Sequence, residues 1–175
     1  MHLKKAFSLI ELMIVIVIIG VVYTLAVVQL QNVKDETFKP SFLNLKEYLS
    51  SFITEDAKSA RLLCLDDCSK CGIYVNGEQV EKLDSFFDES IEVYRYDFLL
   101  GAQKLQESVY FNEENVQESV CFSFTMYKNK ISQQLLVSYN EKAYDYTTYF
   151  EKTKVYDSLE NLVEAKEQMA QKVMR

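Results

Sequence analysis

A long apolar run near the start of the chain constrains its fold more than any other feature. Residues 7–30 read FSLIELMIVIVIIGVVYTLAVVQL and carry a single charged side chain, Glu11. A helix rises about 1.5 Å per residue, so this run can cross a bilayer core of about 30 Å. Lys4 and Lys5 precede it, and basic residues favour the cytoplasmic side of a membrane. The run predicts one transmembrane helix, with everything after residue 30 on the extracytoplasmic side.

Two other kinds of N-terminal segment share part of this pattern. A secretory signal peptide also has basic residues before an apolar core, and Thr24-Leu25-Ala26 offers a small-residue cleavage site. A plain single-pass anchor has similar hydropathy. Glu11 argues against a signal peptide, since a carboxylate costs about 2.5–3.5 kcal/mol at mid-membrane depth and a secreted leader has no use for one.

The residues around the start of the run carry a specific resemblance. Residues 4–12 read KKAFSLIEL, which closely resembles the leader of type IV prepilins and pseudopilins. In that family a membrane peptidase cuts before the Phe and methylates the new amino terminus, and a Glu lies fifth in the mature chain. The resemblance implies processing at Lys4, Lys5, Ala6 and Phe7, with cleavage between Ala6 and Phe7 and N-methylphenylalanine at Phe7. Ala6 differs from the Gly that the family usually has there.

Glu11 has a physical role in this interpretation. A newly exposed α-amino group has a pKa of about 7.7–8.0 and is mostly cationic at neutral pH. A buried ammonium and a buried carboxylate are each costly alone, and pairing them offsets part of both costs. We expect Glu11 to pair with the amino terminus of a neighbouring subunit and to fix the axial stagger of the assembly.

The residues after the apolar run predict a continuing helix and then a sheet. Apolar residues recur at steps of three and four from Phe38 to Ala60, so the N-terminal helix is predicted over residues 7–63, with Pro40 bending or restarting it. Residues 64–156 are predicted to form an antiparallel meander, with a hairpin turn at Asn76-Gly77. Strands are expected at 73–75, 79–80, 91–98, 109–112, 120–127, 131–139 and 143–155.

A second helix is predicted at the C-terminus, over residues 157–175. Asp157-Ser158-Leu159-Glu160 resembles a capping box, and apolar residues then follow at helical spacing. This apolar stripe either covers the sheet or contacts a partner subunit, and ordinary packing on the sheet is the simpler expectation.

The four cysteines, Cys64, Cys68, Cys71 and Cys121, allow more than one chemistry. The spacing of the first three resembles an iron–sulfur cluster motif, and four thiolates can hold zinc. The predicted extracytoplasmic location favours disulfides, so no metal is expected. Three complete pairings are possible, and the sequence does not choose among them.

Charge and residue content argue against several functions. The chain has 19 Lys+Arg and 26 Asp+Glu, a net charge of -7, with no basic cluster after the leader, so no direct nucleic-acid binding is expected. The only histidine, His2, lies in the predicted leader, which removes Ser-His and Cys-His catalysis from the processed chain. Acidic pairs such as Asp66-Asp67 and Asp88-Glu89 lack the spacing of a calcium loop and are expected to be solvated.

Together these observations predict an α+β, pilin-like lollipop: a long N-terminal helix, half transmembrane, packed on an antiparallel sheet, plus a C-terminal helix. The segments are a leader (1–6), the helix (7–63), the sheet domain (64–156) and the final helix (157–175). The resemblance implies a non-enzymatic pseudopilin or minor pilin of a type II secretion, DNA-uptake (competence) or type IV pilus filament, without cofactors. Its partners would be sister pilins, the prepilin peptidase and methylase, and an inner-membrane assembly platform. The alternative is a membrane-anchored extracytoplasmic binding or sensor domain with a pilin-like leader.

Overall fold

The computed structural model describes residues 9–32, 39–106, 108–112 and 114–173. The chain divides into two compact units, residues 1–39 and 40–175. In the first unit, α1 (Leu9–Asn32) is a single 24-residue helix made almost entirely of apolar residues. Among its described residues, the second unit contains two helices and ten strands, so the fold class is α+β with antiparallel sheets, as predicted.

The predicted helix over residues 7–63 is wrong in its second half. Between residues 39 and 63, which the structure describes, only α2 (Leu45–Ser50) is an α-helix, and β1 (Ser59–Leu65) follows as a strand. β1 buries Leu62 and Cys64 on one face of its sheet and Leu63 and Leu65 on the other. A strand that is buried on both faces loses its polar–apolar alternation, and its apolar residues then also fit a helical spacing. Phe38, where the predicted amphipathic pattern begins, lies outside the described residues.

Five strands form sheet A, in the order β3-β2-β1-β7-β6. Besides β1 these are β2 (Lys70–Val75), β3 (Glu78–Leu83), β6 (Ser108–Phe111) and β7 (Gln117–Tyr127). Every pairing is antiparallel. The predicted Asn76-Gly77 hairpin joins β2 to β3, and both turn residues have positive φ, 54° and 98°, as a type I′ turn requires.

The other five strands form sheet B, in the order β10-β9-β8-β4-β5. They are β4 (Glu92–Asp97), β5 (Gly101–Lys104), β8 (Leu136–Tyr139), β9 (Lys142–Asp145) and β10 (Lys154–Tyr156). The predicted strand over 131–139 is shorter, the predicted strand over 143–155 is two strands, and β5 was not predicted. The single meander is also wrong, because β1 pairs with β7 and β4 pairs with β8, far along the chain.

The main core lies where α2 and the two sheets meet. Phe42, Leu45 and Leu49 from the α2 region pack with Phe122 and Phe124 of β7, in the same cluster as side chains from sheet B. The alternation predicted for β7 is confirmed, because Val120, Phe122, Phe124 and Met126 are buried and the residues between them are not. α2 therefore takes the position on the sheet that the prediction gave to a long helix.

The C-terminal helix, α3 (Leu159–Val173), starts where the capping pattern predicted. The Asn161 N–H donates to Ser158 Oγ at 3.2 Å, which satisfies one of the unpaired donors of the first turn. Leu162 is fully buried against Leu136 and Ala143 of sheet B, whereas Met169 is 46% exposed. The first half of α3 thus covers sheet B, and its last turns have an exposed apolar side chain.

Candidate assembly site and disulfide-bonded domain

α1 has apolar side chains around its whole circumference. From Leu9 to Thr24 the only polar side chains are Glu11, Tyr23 and Thr24, and Thr24 satisfies its hydroxyl by donating to the Val21 carbonyl at 2.8 Å. The large apolar side chains in this stretch are between 47% and 77% exposed. A helix that packs on one surface needs only an apolar stripe, whereas one that is apolar all round needs apolar surroundings on every side. Between Leu9 and Thr24, α1 therefore exposes apolar surface on every side.

Among the residues that the structure describes, no helix is both long enough and apolar enough to span a membrane. The transmembrane segment predicted over residues 7–30 is not confirmed by the structure.

Glu11 lies in the first turn of α1. The N-terminal end of a helix carries a partial positive charge from its unpaired N–H groups, so a carboxylate is stabilised there. This position places an acidic group at the start of an otherwise apolar helix. The predicted processing residues Lys4, Lys5, Ala6 and Phe7 lie outside the described residues.

The four cysteines form two disulfides, Cys64–Cys71 and Cys68–Cys121, one of the three pairings that the sequence allowed. Cys64 and Cys71 lie directly opposite each other in the β1–β2 pair, with Cα atoms 4.1 Å apart. Cys68 lies in the β1–β2 loop with φ 66°, and its bond reaches Cys121 in β7, 53 residues along the chain. The second disulfide therefore ties the loop between β1 and β2 to the strand on the other side of β1. The first adds a crosslink to a hairpin that is already hydrogen-bonded.

An open cleft of about 1180 Å³ lies beside Cys121, and residues of both predicted acidic pairs line it. Its walls include Asp66, Asp67, Asp88 and Glu89, together with Arg61 from β1. Three of these carboxylates have local partners: Asp66 pairs with Lys70 at 2.8 Å, Asp67 accepts from the Ser69 N–H at 3.0 Å, and hydrogen bonds from Ser90 lower the pKa of Asp88. In the described part of the chain, no group of three or more His, Cys, Asp or Glu side chains is placed to hold a metal ion.

A buried ionic group that was not predicted from the sequence holds α3 to sheet B. Asp145, in β9, is 1% exposed and pairs with Lys166 of α3 at 2.8 Å. Asp145 also accepts hydrogen bonds from the Thr147 N–H and hydroxyl, at 2.8 and 2.7 Å. Lys166 in turn lies over the ring of Tyr96, 5.4 Å from its centroid. This group fixes the first half of α3 to the sheet.

Lys46 makes a similar connection from α2. It is 7% exposed, and its ammonium donates to the carbonyls of Thr148 (2.5 Å) and Glu151 (3.3 Å). Burial lowers the pKa of Lys46, and the negative charge of Asp145 partly opposes that shift. The burial of Lys46 could have been predicted from its spacing. Lys46 lies one helical turn after the core residue Phe42 and one turn before Leu49, so it falls on the buried face.

Comparison with known proteins identifies the N-terminal segment. The family profile described as the prokaryotic N-terminal methylation motif matches residues 1–27. No curated protein and no solved structure matches the chain. The matched segment contains Glu11 and the first part of α1, and it agrees with the leader resemblance of residues 4–12. The chain therefore carries the prepilin leader signature of type IV pilin-like and pseudopilin-type proteins, a class that is structural rather than catalytic.

Proposed function

We propose that this protein is a structural subunit, a pseudopilin or minor pilin, of a type II secretion, DNA-uptake or type IV pilus filament. The observation that carries the proposal is the methylation motif at residues 1–27, which includes the first part of the apolar helix α1. The motif explains how the amino terminus is made, and the helix supplies the surface that packs in a filament. A secretion or DNA-uptake pseudopilin is the preferred assignment.

The proposed assembly begins in the cytoplasmic membrane. Residues 7–30 insert as a helix, Lys4 and Lys5 stay on the cytoplasmic side, and the second unit lies outside. Two disulfides support this location, because disulfides persist in oxidising, extracytoplasmic compartments. The prepilin peptidase then removes residues 1–6 and methylates Phe7.

Processing creates the charge that assembly uses. The new amino terminus at Phe7 is cationic, and Glu11 of a neighbouring subunit is its partner in the packed helices. In apolar surroundings an unpaired ion is expensive, so this pair favours one axial stagger over others. The apolar surface of α1 drives the packing of one subunit on another. Its partners in this packing are sister pilins, and assembly takes place at the inner-membrane assembly platform. The protein itself is proposed to have no catalytic role.

The test replaces Glu11 and measures entry into the filament. Glu11→Ala should leave the amount of protein in the membrane unchanged and strongly reduce its recovery with sheared filaments or its crosslinking to sister pilins. Glu78→Ala is the matched control, because it removes an exposed carboxylate from β3 and leaves α1 intact. Glu11→Ala entering the filament as efficiently as Glu78→Ala would rule out the proposed pairing.

A second function is favoured by one feature, the open cleft beside Cys121. A membrane-anchored extracytoplasmic binding or sensor domain with a pilin-like leader would use such a cleft for a ligand. The two proposals differ in polymerisation: a filament subunit crosslinks to sister pilins, whereas an anchored sensor stays dispersed in the membrane.

A further inference from the structure

In the described part of the chain the two sheets end in four edge strands, and β6 alone has no charged residue within its bounds. Ser108–Phe111 reads Ser-Val-Tyr-Phe. Charged side chains on an edge strand oppose pairing with another chain, and the other three edges carry them: Glu78, Glu81 and Lys82 in β3, Lys104 in β5 and Lys154 in β10. Within the described ranges, no strand pairs with the outer side of β6. β6 is therefore the edge that is chemically open to another strand.

Hydrogen bonding determines which peptide groups of β6 face outward. The Asn112 N–H donates to the Val116 carbonyl at 3.1 Å, so the pair next to the β6–β7 turn is a hydrogen-bonded one. Antiparallel pairs alternate, and Val109 and Phe111 then fall in non-hydrogen-bonded pairs with β7. Ser119 lies opposite Val109, and its carbonyl accepts from the Asp66 N–H at 2.8 Å on the other side of β7. Because this carbonyl points away from β6, the Val109–Ser119 pair is indeed a non-hydrogen-bonded one. The N–H and C=O groups of Val109 and Phe111 therefore point away from the sheet.

The side chains at these positions are also uncovered. Val109 is 51% exposed and Phe111 is 57% exposed, and both lie on the same face because they are two residues apart. Tyr110 lies on the opposite face, where its ring packs with Tyr74 at a centroid distance of 6.3 Å. The edge thus offers two outward peptide units and two apolar side chains in one short segment.

We propose that β6 pairs with β6 of a second copy of this chain, antiparallel and about a two-fold axis at Tyr110. In this register Val109 of each copy lies opposite Phe111 of the other, which gives two equivalent pairs. Each pair exchanges two backbone hydrogen bonds. The apolar side chains form cross-strand pairs of a β-branched with an aromatic residue, which stabilise sheets. Two five-stranded sheets then become one continuous sheet.

The outward peptide groups of β6 favour this register over its neighbours. When Val109 lies opposite Phe111, both outward residues of each copy face an outward residue of the other copy. A shift by two residues would pair Val109 with Val109, or Phe111 with Phe111, and would leave the other outward residue without a partner in β6.

This pairing goes beyond the proposed function. A two-fold contact closes at two copies and cannot propagate along a filament. The β6 pairing is therefore separate from the helix packing proposed for the filament, and a failure of the test below would leave the filament proposal unchanged.

The test uses single cysteines in the full chain, purified in detergent micelles and oxidised. All four native cysteines are in disulfides, so an added cysteine is the only thiol. Tyr110→Cys should crosslink to itself, since residues in a non-hydrogen-bonded pair have Cα atoms about 4.5 Å apart, within the range of a disulfide. An equimolar mixture of Val109→Cys and Phe111→Cys should crosslink as well, at about 5.5 Å. Val80→Cys is the matched control, because Val80 is 53% exposed on β3, at the opposite edge of the same sheet.

The proposal expects covalent dimer from Tyr110→Cys and from the mixture at several-fold the yield from Val80→Cys. Val109→Cys alone should give little dimer, because its two cysteines are diagonal neighbours about 7–8 Å apart. The mixture tests the proposal even if Tyr110→Cys does not fold, since Val109 and Phe111 are exposed. Yields from the mixture no higher than from Val80→Cys would overturn the pairing, and equal yields from Val109→Cys alone and from the mixture would overturn the register.

Discussion

Removing each disulfide in turn tests whether the second unit is crosslinked as the structure has it. The variants are Cys68→Ala/Cys121→Ala and Cys64→Ala/Cys71→Ala, whose bonds span 53 and 7 residues. When chain entropy dominates, closing a loop of 53 residues stabilises by about 4 kcal/mol at 25 °C, and closing one of 7 residues by about 2.4 kcal/mol. The long-range bond is therefore expected to matter more.

The assay is urea unfolding of the full chain in detergent micelles, followed by tyrosine fluorescence, because the chain has 12 Tyr and no Trp. With a denaturant slope of about 2 kcal/mol per M, the midpoint should fall by about 2 M without Cys68–Cys121 and by about 1.2 M without Cys64–Cys71. Each variant is the control for the other, since both remove two sulfur atoms. Equal shifts, or a larger shift without Cys64–Cys71, would refute the entropic reasoning.

Three further predictions concern the second unit. Tyr146→Phe removes a buried hydrogen bond from the hydroxyl to the Phe42 carbonyl (2.5 Å) and should cost about 1–3 kcal/mol of unfolding free energy in the same urea assay. Burial raises the pKa of Tyr146 and contributes to raising that of Tyr94 to about 12. The stability that these tyrosines contribute is therefore complete below about pH 10 and is lost as the pH rises through their folded pKa values. In urea titrations at increasing pH, Tyr146→Phe should lose less unfolding free energy above about pH 10 than the unmodified protein, and an equal loss would contradict this. Lys166→Met leaves the buried Asp145 carboxylate without its cation and should destabilise by about 3 kcal/mol, whereas Lys166→Met/Asp145→Asn should recover part of that loss, and no recovery would count against the pair.

The parts of the fold that the sequence predicted correctly depend on local signals. β7 alternates buried and less buried residues along its length, and a period of two is readable without knowing the partner strand. The β2–β3 turn uses Asn76-Gly77, whose positive φ values suit those two residue types. Ser158 marked the start of α3 because its side chain caps the first turn.

The parts that were wrong depend on contacts between distant residues. β1 was mistaken for helix because it is buried on both faces, and only its pairing with β7 in the centre of sheet A creates that environment. The division into two sheets depends on the β1–β7 and β4–β8 pairs, which no local pattern specifies.

The candidate site was predictable to different degrees. The leader motif and Glu11 were readable because their chemistry is contained in a short segment, and the family profile agrees with them. The cysteine pairing could not be chosen from the sequence, since it depends on Cys68 and Cys121 meeting across β1. The Lys166–Asp145 pair joins α3 to β9 and could not be read from either segment alone.

Intact mass and N-terminal sequencing of the protein from its native membrane, with and without the prepilin peptidase, test the central claim most directly. The account predicts a chain that begins with N-methylated Phe7 when the peptidase is present and an uncut chain from Met1 when it is absent. A chain that starts at Val27, or one that keeps Met1 in the presence of the peptidase, would contradict the account.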